Sequence, residues 1–176
     1  KIGALPVVKN QKTLCGIVSE RDIIRELAKD TNLLGVKECA GNDRIAAYEK
    51  EGIACWSGND DQAWEARHRC GGHGVISVTA NVVPGLMRRL MDEPNSTLAD
   101  RLEPLINWLF VHPNPIGVNT ALAMTGATKP VFRLPYVPLD TELRQTGMDL
   151  LRQFDSGDWV GPSLELLRDE DFQLVA

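Results

Sequence analysis

Two rhythms of apolar residues run through the first half of this chain. Short unbroken apolar runs return at about 20-residue spacing, and between them apolar positions fall three and four apart. The runs "LCGIV" (14–18), "LLGVKE" (33–38), "IACWSG" (53–58) and "GVISVTA" (74–80) read as strands. They do not alternate with polar residues, which is the pattern of strands covered on both faces of a parallel sheet. The intervening segments read as helices. "SERDIIRELAKD" opens at Ser19 as N-cap, with Ile23, Ile24 and Leu27 at helical spacing. "NDRIAAYEKEG" takes Asp43 as N-cap and Gly52 as stop, "DQAWEARHRCGG" ends at Gly71-Gly72, and "VPGLMRRLMDE" carries Pro84 in its first turn. Alternating strands and helices imply right-handed βαβ crossovers and an α/β architecture, either barrel or doubly wound.

Beyond residue 93 the strands stop. "TLADRLEPLINWLFV", "IGVNTALAMTGA" and "DTELRQTGMDLLRQF" read as helices, with Gly126 closing the second and Asp140 capping the third. "KPVFRLPYVPL", with its prolines, reads as an extended loop. No strand is expected between 81 and 150, and the acidic tail is of mixed character.

Composition narrows the function classes. With 176 residues, 43% hydrophobic and 24% charged, the chain can form one domain with a sizeable core. A net charge of -5 without a basic stripe argues against a nucleic-acid partner. No apolar run is long enough to span a bilayer, no signal or transit peptide is recognised, and a start is expected upstream of Lys1. Cys15, Cys39, Cys55 and Cys70 form no C-x-x-C pair and read as reduced core residues of a cytoplasmic protein. His68 and His73 do not share a helix face, so no metal site is expected, and His112 before Pro113 reads as a surface loop residue.

Lys37 is the residue out of place, since it sits inside an apolar strand. Strand alternation puts Leu33, Gly35, Lys37 and Cys39 on one side and Leu34, Val36 and Glu38 on the other, with Gly35 leaving room beside the lysine. Near the C-terminal end of a barrel strand, function concentrates. A lysine partly withdrawn from water loses basicity, and its neutral amine attacks carbonyls. The chemistry suggested is an imine with a keto substrate. The alternative is a strand-end lysine reaching solvent or pairing with Glu38.

"NLLGVKECAGN", "WSGNDD", "GGHGVISVTANVVPGLM", "LFVHPNPIGVNTALAMTG" and "FRLPYVPL", in this order, closely resemble the C-terminal half of the dihydrodipicolinate synthase (4-hydroxy-tetrahydrodipicolinate synthase) family. The tail "DWVG…DEDFQLV" resembles its plant-type branch. The likeness covers roughly residues 29 to 176. It implies a Schiff-base lyase of the pyruvate class I aldolase superfamily. Lys37 matches the imine-forming lysine. Pyruvate would condense with it, and the enamine would attack aspartate semialdehyde on the route to lysine. Gly58 and Ile76 match positions lining the pyruvate pocket. The resemblance implies no cofactor, a homo-oligomer (tetramer or dimer), and a cytoplasmic or, in a plant-like source, plastid location. The family's paired threonines, proton-relay tyrosine and carboxylate-binding arginine belong to earlier strands. Residues 1 to 36 hold no tyrosine, only the isolated Thr13 and Thr31, and Arg21 and Arg25 on a helix.

The start "ALPVV…GIVSERD" resembles instead half of a CBS motif, whose Ser and Asp hold the ribose of an adenosyl nucleotide; by position these are Ser19 and Asp22. Alternatively, Ser19 merely caps the helix and Asp22 supports its first turn. The expected division is a CBS-like β-β-α segment (1–28), the last three strands of a partial (β/α)8 TIM barrel (29–93), and a helical C-terminal region (94–176). A further expectation places strand 14–18 beside strand 33–38. A nucleotide-binding regulatory module and an inactive fragment are the alternatives to the lyase.

Overall fold

The computed structural model describes residues 4–9, 13–29 and 32–176; Thr31 and the Cys15 side chain lie outside what is described. β1 (Ala4–Lys9) and β2 (Thr13–Ser19) form an antiparallel hairpin, and β2 runs directly into α1 (Glu20–Leu27). The expected pairing of 14–18 with 33–38 does not occur: among the described residues β2 pairs with β1 alone, in its own two-stranded sheet. A short hairpin satisfies the β2 backbone at small loop-closure cost, before any long-range parallel partner can compete. α1 is joined to the rest by its side chains. Ile24 and Ala28 pack on a cluster of Ile45, Tyr48, Ile53, Cys55 and Ala66. Arg25 pairs with Glu51 and Glu20 with Arg44, each at 2.6 Å.

The heart of the α/β part is a parallel sheet ordered β3 (Val36–Glu38), β4 (Cys55–Ser57), β5 (Gly74–Val75). Helices α2 (Asn42–Lys50) and α3 (Ala63–His68) make the crossovers. The strands are shorter than the apolar runs that announced them. At Gly35 the expected room is taken, since an added Cβ would meet Trp56 Cζ3 and the Ala54 carbonyl. α2 is preceded by Gly41 without a side-chain cap, so Asp43 lies inside the first turn rather than at the N-cap. Gly52, at φ 76°, ends the helix as expected.

After β5 the chain forms α4 (Pro84–Asp92), α5 (Thr97–Leu109), α6 (Ile116–Met124) and α7 (Thr141–Leu151). Pro84 occupies the first turn of α4, where its missing N–H costs nothing. Asp140 caps α7 by accepting the Leu143 N–H at 2.8 Å. Apolar positions of α4 (Leu86, Met87, Leu90), α5 (Leu102, Leu105, Leu109) and α6 (Val118, Ala121) merge into the main core. Each fully buried leucine contributes about 1.5–3 kcal/mol. Trp108 packs its ring against the bare backbone of Gly147 and donates its indole N–H to the Leu143 carbonyl at 2.7 Å.

The segment read as a plain loop contains a strand. β6 (Val131–Arg133) pairs in parallel with β7 (Gln173–Val175), and Phe132 is buried beneath the pair. The tail thereby returns to close the helical region.

Candidate functional site

The sheet register builds one cluster. Lys37 pairs with Trp56, Glu38 with Ser57, and Ser57 with Val75. One step further lie Cys39, Gly58 and Ile76, at the C-terminal ends of three neighbouring strands. The Gly58 N–H donates to the Glu38 carbonyl and the Ile76 N–H to the Ser57 carbonyl, both at 2.8 Å. Lys37 and Gly58 touch: an added Cβ at Gly58 would lie 2.6 Å from Lys37 Cε, and also against Cys39 Sγ. The structure thus brings Lys37 and Gly58 together, with Ile76 on the adjacent strand end.

The predicted alternation holds for the strand itself. Lys37 and Cys39 are exposed, Val36 is half-buried and Glu38 is buried. Two expectations change. Lys37 is not withdrawn from water in this chain, because the three strands leave its face uncovered; Ile76, on the same face two strands away, is 50% exposed. Cys39 belongs to this open face rather than to the core, whereas Cys55 is buried and Cys70 half-buried.

Side chains on the covered face and in the strand-end loops hold the cluster in place. Glu38, 5% exposed, accepts the Ala40 N–H at 2.6 Å and lies 3.0 Å from Arg44 Nε. The Asn59 side-chain amide donates to the Cys39 carbonyl at 3.1 Å, tying the end of β3 to the end of β4. Asp60, 3% exposed, accepts the Thr79 N–H and hydroxyl at 2.7 Å and the Val78 N–H at 3.1 Å, which ties the β4 end to the chain after β5. Sequence reading passed over Glu38, Arg44, Asn59 and Asp60 as supports. The available signal was the polar run "SGNDD" directly after an apolar strand.

A cavity of about 260 Å³ opens beside Gly58, lined by Asn59, Asp60, Asp61, Ile106, Asn107 and Phe110. A larger one, about 400 Å³, runs along β5 beside Trp56, His73, Ser77 and Met87; Lys37 is not in its wall. His73 pairs with Glu49 at 3.1 Å and His68 with the Leu90 carbonyl at 2.9 Å, so the two histidines face different partners. Among the described residues no group of His, Cys, Asp and Glu is arranged to hold a metal ion.

Ser19 and Asp22 meet each other rather than the lysine cluster. The Asp22 carboxylate accepts the Ser19 N–H at 2.8 Å and its hydroxyl at 2.7 Å, and the Asp22 N–H reaches Ser19 Oγ at 3.3 Å. This is a reciprocal helix cap. The Ser19 hydroxyl, then its N–H, hold the Asp22 carboxyl below the usual carboxylate range.

The chain is 53% identical over 156 residues to 4-hydroxy-tetrahydrodipicolinate synthase, chloroplastic, of Glycine max, covering 88% of this chain and 47% of that protein. It is 51% identical over 155 residues to the chloroplastic synthase 1 of Arabidopsis thaliana, covering 87% and 42%. Among solved structures, the chloride-inhibited dihydrodipicolinate synthase from Acinetobacter baumannii, complexed with pyruvate, superposes with a TM-score of 0.67. That match has 31% identity and covers 78% of this chain and 50% of that one. The chain therefore spans about half the length of the curated relatives it matches, and its fold is α/β, a part of their barrel. The dihydrodipicolinate synthetase family profile matches residues 4–154, a span that takes in the β1–β2 hairpin and α1. By this match over most of its length, the chain belongs to the dihydrodipicolinate synthetase family.

Proposed function

We propose that this chain supplies the imine-forming part of a 4-hydroxy-tetrahydrodipicolinate synthase. Lys37 condenses with the keto group of pyruvate, losing water to give an imine that tautomerises to the enamine. The enamine carbon then attacks the aldehyde of aspartate semialdehyde. Gly58 leaves room for the lysine stem to lie against its backbone, and Ile76 borders the same strand end. The observation carrying this reading is the contact of Lys37 with the bare Gly58 backbone at the strand ends.

Imine chemistry also needs a proton carrier and a pocket poor in water. Lys37 stands on an open sheet face, so further β/α units must cover it for turnover. The relatives' greater length supports that completion, and the tyrosine, threonines and arginine that the resemblance calls for are assigned to those units. The plant relatives carry chloroplastic names, which favours the plastid over the cytoplasm as the working compartment.

The test is borohydride trapping with pyruvate, followed by peptide mapping. Selective reduction onto Lys37, ahead of Lys29, Lys50 and Lys129, supports the assignment. Uniform labelling of the lysines overturns it, as does a thermal shift with AMP and none with pyruvate.

A further inference from the structure

We propose that Glu38 is the positioning residue that aims Lys37, and that it acts through Arg44; this rests on the reading of Lys37 as the imine former. Neighbouring residues of a strand point to opposite faces. The face opposite Lys37 is the covered one, and Glu38 is buried there. Its two oxygens are used separately. Oε1 accepts the Ala40 N–H at 2.6 Å, which fixes the turn leaving the strand. Oε2 sits 3.0 Å from Arg44 Nε, an N–H that is not aimed along the contact, so the pair is held by charge. Arg44 is itself fixed, by Glu20 at 2.6 Å and by the Tyr48 hydroxyl at 3.3 Å. Arg44 therefore ties the lysine strand, α2 and the start of α1 to one guanidinium.

This arrangement sets register. A one-residue slip of β3 would turn Glu38 outward and drive the Lys37 ammonium inward beside Arg44. Two cations would then share a covered site, and the carboxylate that neutralised it would be gone. The strand is only three residues long, Val36–Glu38, and its hydrogen bonds alone give a weak register signal. The Glu38–Arg44 pair supplies the discrimination that so short a strand lacks. The N-terminal segment contributes at a distance, since Glu20 holds the guanidinium from the other side.

Glu38→Ala, Glu38→Gln, Arg44→Gln and Arg44→Lys separate this role from simple stability. Glu38→Ala lowers the rate of pyruvate trapping on Lys37 by about 10²-fold. Glu38→Gln keeps the acceptor for Ala40 and loses about tenfold. Arg44→Gln matches Glu38→Gln, and Arg44→Lys, which keeps the charge, recovers most of the loss. A merely structural role predicts losses that follow the unfolded fraction in a thermal melt, with unchanged half-saturating pyruvate and no lysine rescue. Either of those results overturns the proposal.

An independent arm needs no pyruvate. Amide exchange across residues 36–40 should quicken in Glu38→Ala while α5 stays protected, and equal quickening in α5 would count against a local role. Failure of the wild-type chain to trap pyruvate would sink the Schiff-base reading and leave the exchange comparison to judge the register device by itself.

Discussion

A methyl group at Gly58 tests the candidate site most directly. In Gly58→Ala the new Cβ would lie 2.6 Å from Lys37 Cε and 3.2 Å from its Cγ, and harder still against Cys39 Sγ. Carbon atoms in comfortable contact stand about 3.5–4.0 Å apart, so the end of the lysine must retreat by about 1 Å. A misplacement of that size at a reacting group costs about 10²-fold in rate, equivalent to about 2.7 kcal/mol of barrier. Stability should hardly change. Gly58 does not have positive φ, and the two side chains it displaces are exposed and free to move into water. We expect a loss of less than about 1 kcal/mol in unfolding free energy. The assay is the rate of borohydride-trapped pyruvate on Lys37, with a denaturant melt alongside. Trapping within about twofold of wild type, in a variant that melts like wild type, would refute the contact argument.

Two further outcomes follow from the thiols and from α1. Burial foremost, then the Glu49 and Glu38 carboxylates, push the Cys55 thiol up to about 11. A thiol reagent at about pH 8 should therefore modify the exposed Cys39 before Cys55, and a bulky adduct there should block trapping at Lys37, which lies on the same strand face and shares contact with Gly58; Cys55 reacting as fast as Cys39 would contradict this burial. The Arg25 guanidinium, through its hydrogen bond, holds the Glu51 carboxyl below its ordinary 4.5, and Ser19 does the same for Asp22 below 3.8. For depressed carboxyls the sign is fixed: their contribution is complete above the ordinary values and fades as pH falls through the lowered ones. Exchange in α1, corrected for its intrinsic pH dependence, should therefore rise relative to α5 as pH drops below 4.5, and a constant ratio down to about pH 2 would remove the carboxyls from the docking of α1.

The elements legible in the sequence were those whose partners lie close along the chain. Pro84, Gly52 and Asp140 each act within one turn of helix, and each helix boundary they mark appears where expected. β6 and β7 were illegible because three residues near 131 take as partner three residues near the end of the chain, and a run broken by prolines carries no trace of that distance. β2 was assigned the wrong neighbour because periodicity records that a strand exists and not which edge it joins. In the site, alternation placed Lys37 and Cys39 on one face and Glu38 on the other. What alternation could not supply was cover: a residue's face is local, whereas its exposure depends on elements far along the chain or beyond it. Trp56 filling the room at Gly35 is the same lesson on a smaller scale.

Exposure is where stability and chemistry meet in this chain. Ile76 stands open on the same face as Lys37, and among the described residues β3 and β5 present unpaired outer edges. Covering such a side chain is worth about 1.5–3 kcal/mol, and pairing the edges removes a template for aggregation. The elements that gain this burial also exclude water from the strand ends that carry Lys37 and Gly58. Closure of the sheet would therefore stabilise the fold and dry the proposed site in one step. Glu38 keeps the two faces distinct: its carboxylate is committed on the covered face, to the Ala40 N–H and to Arg44, and away from the face that closure would cover.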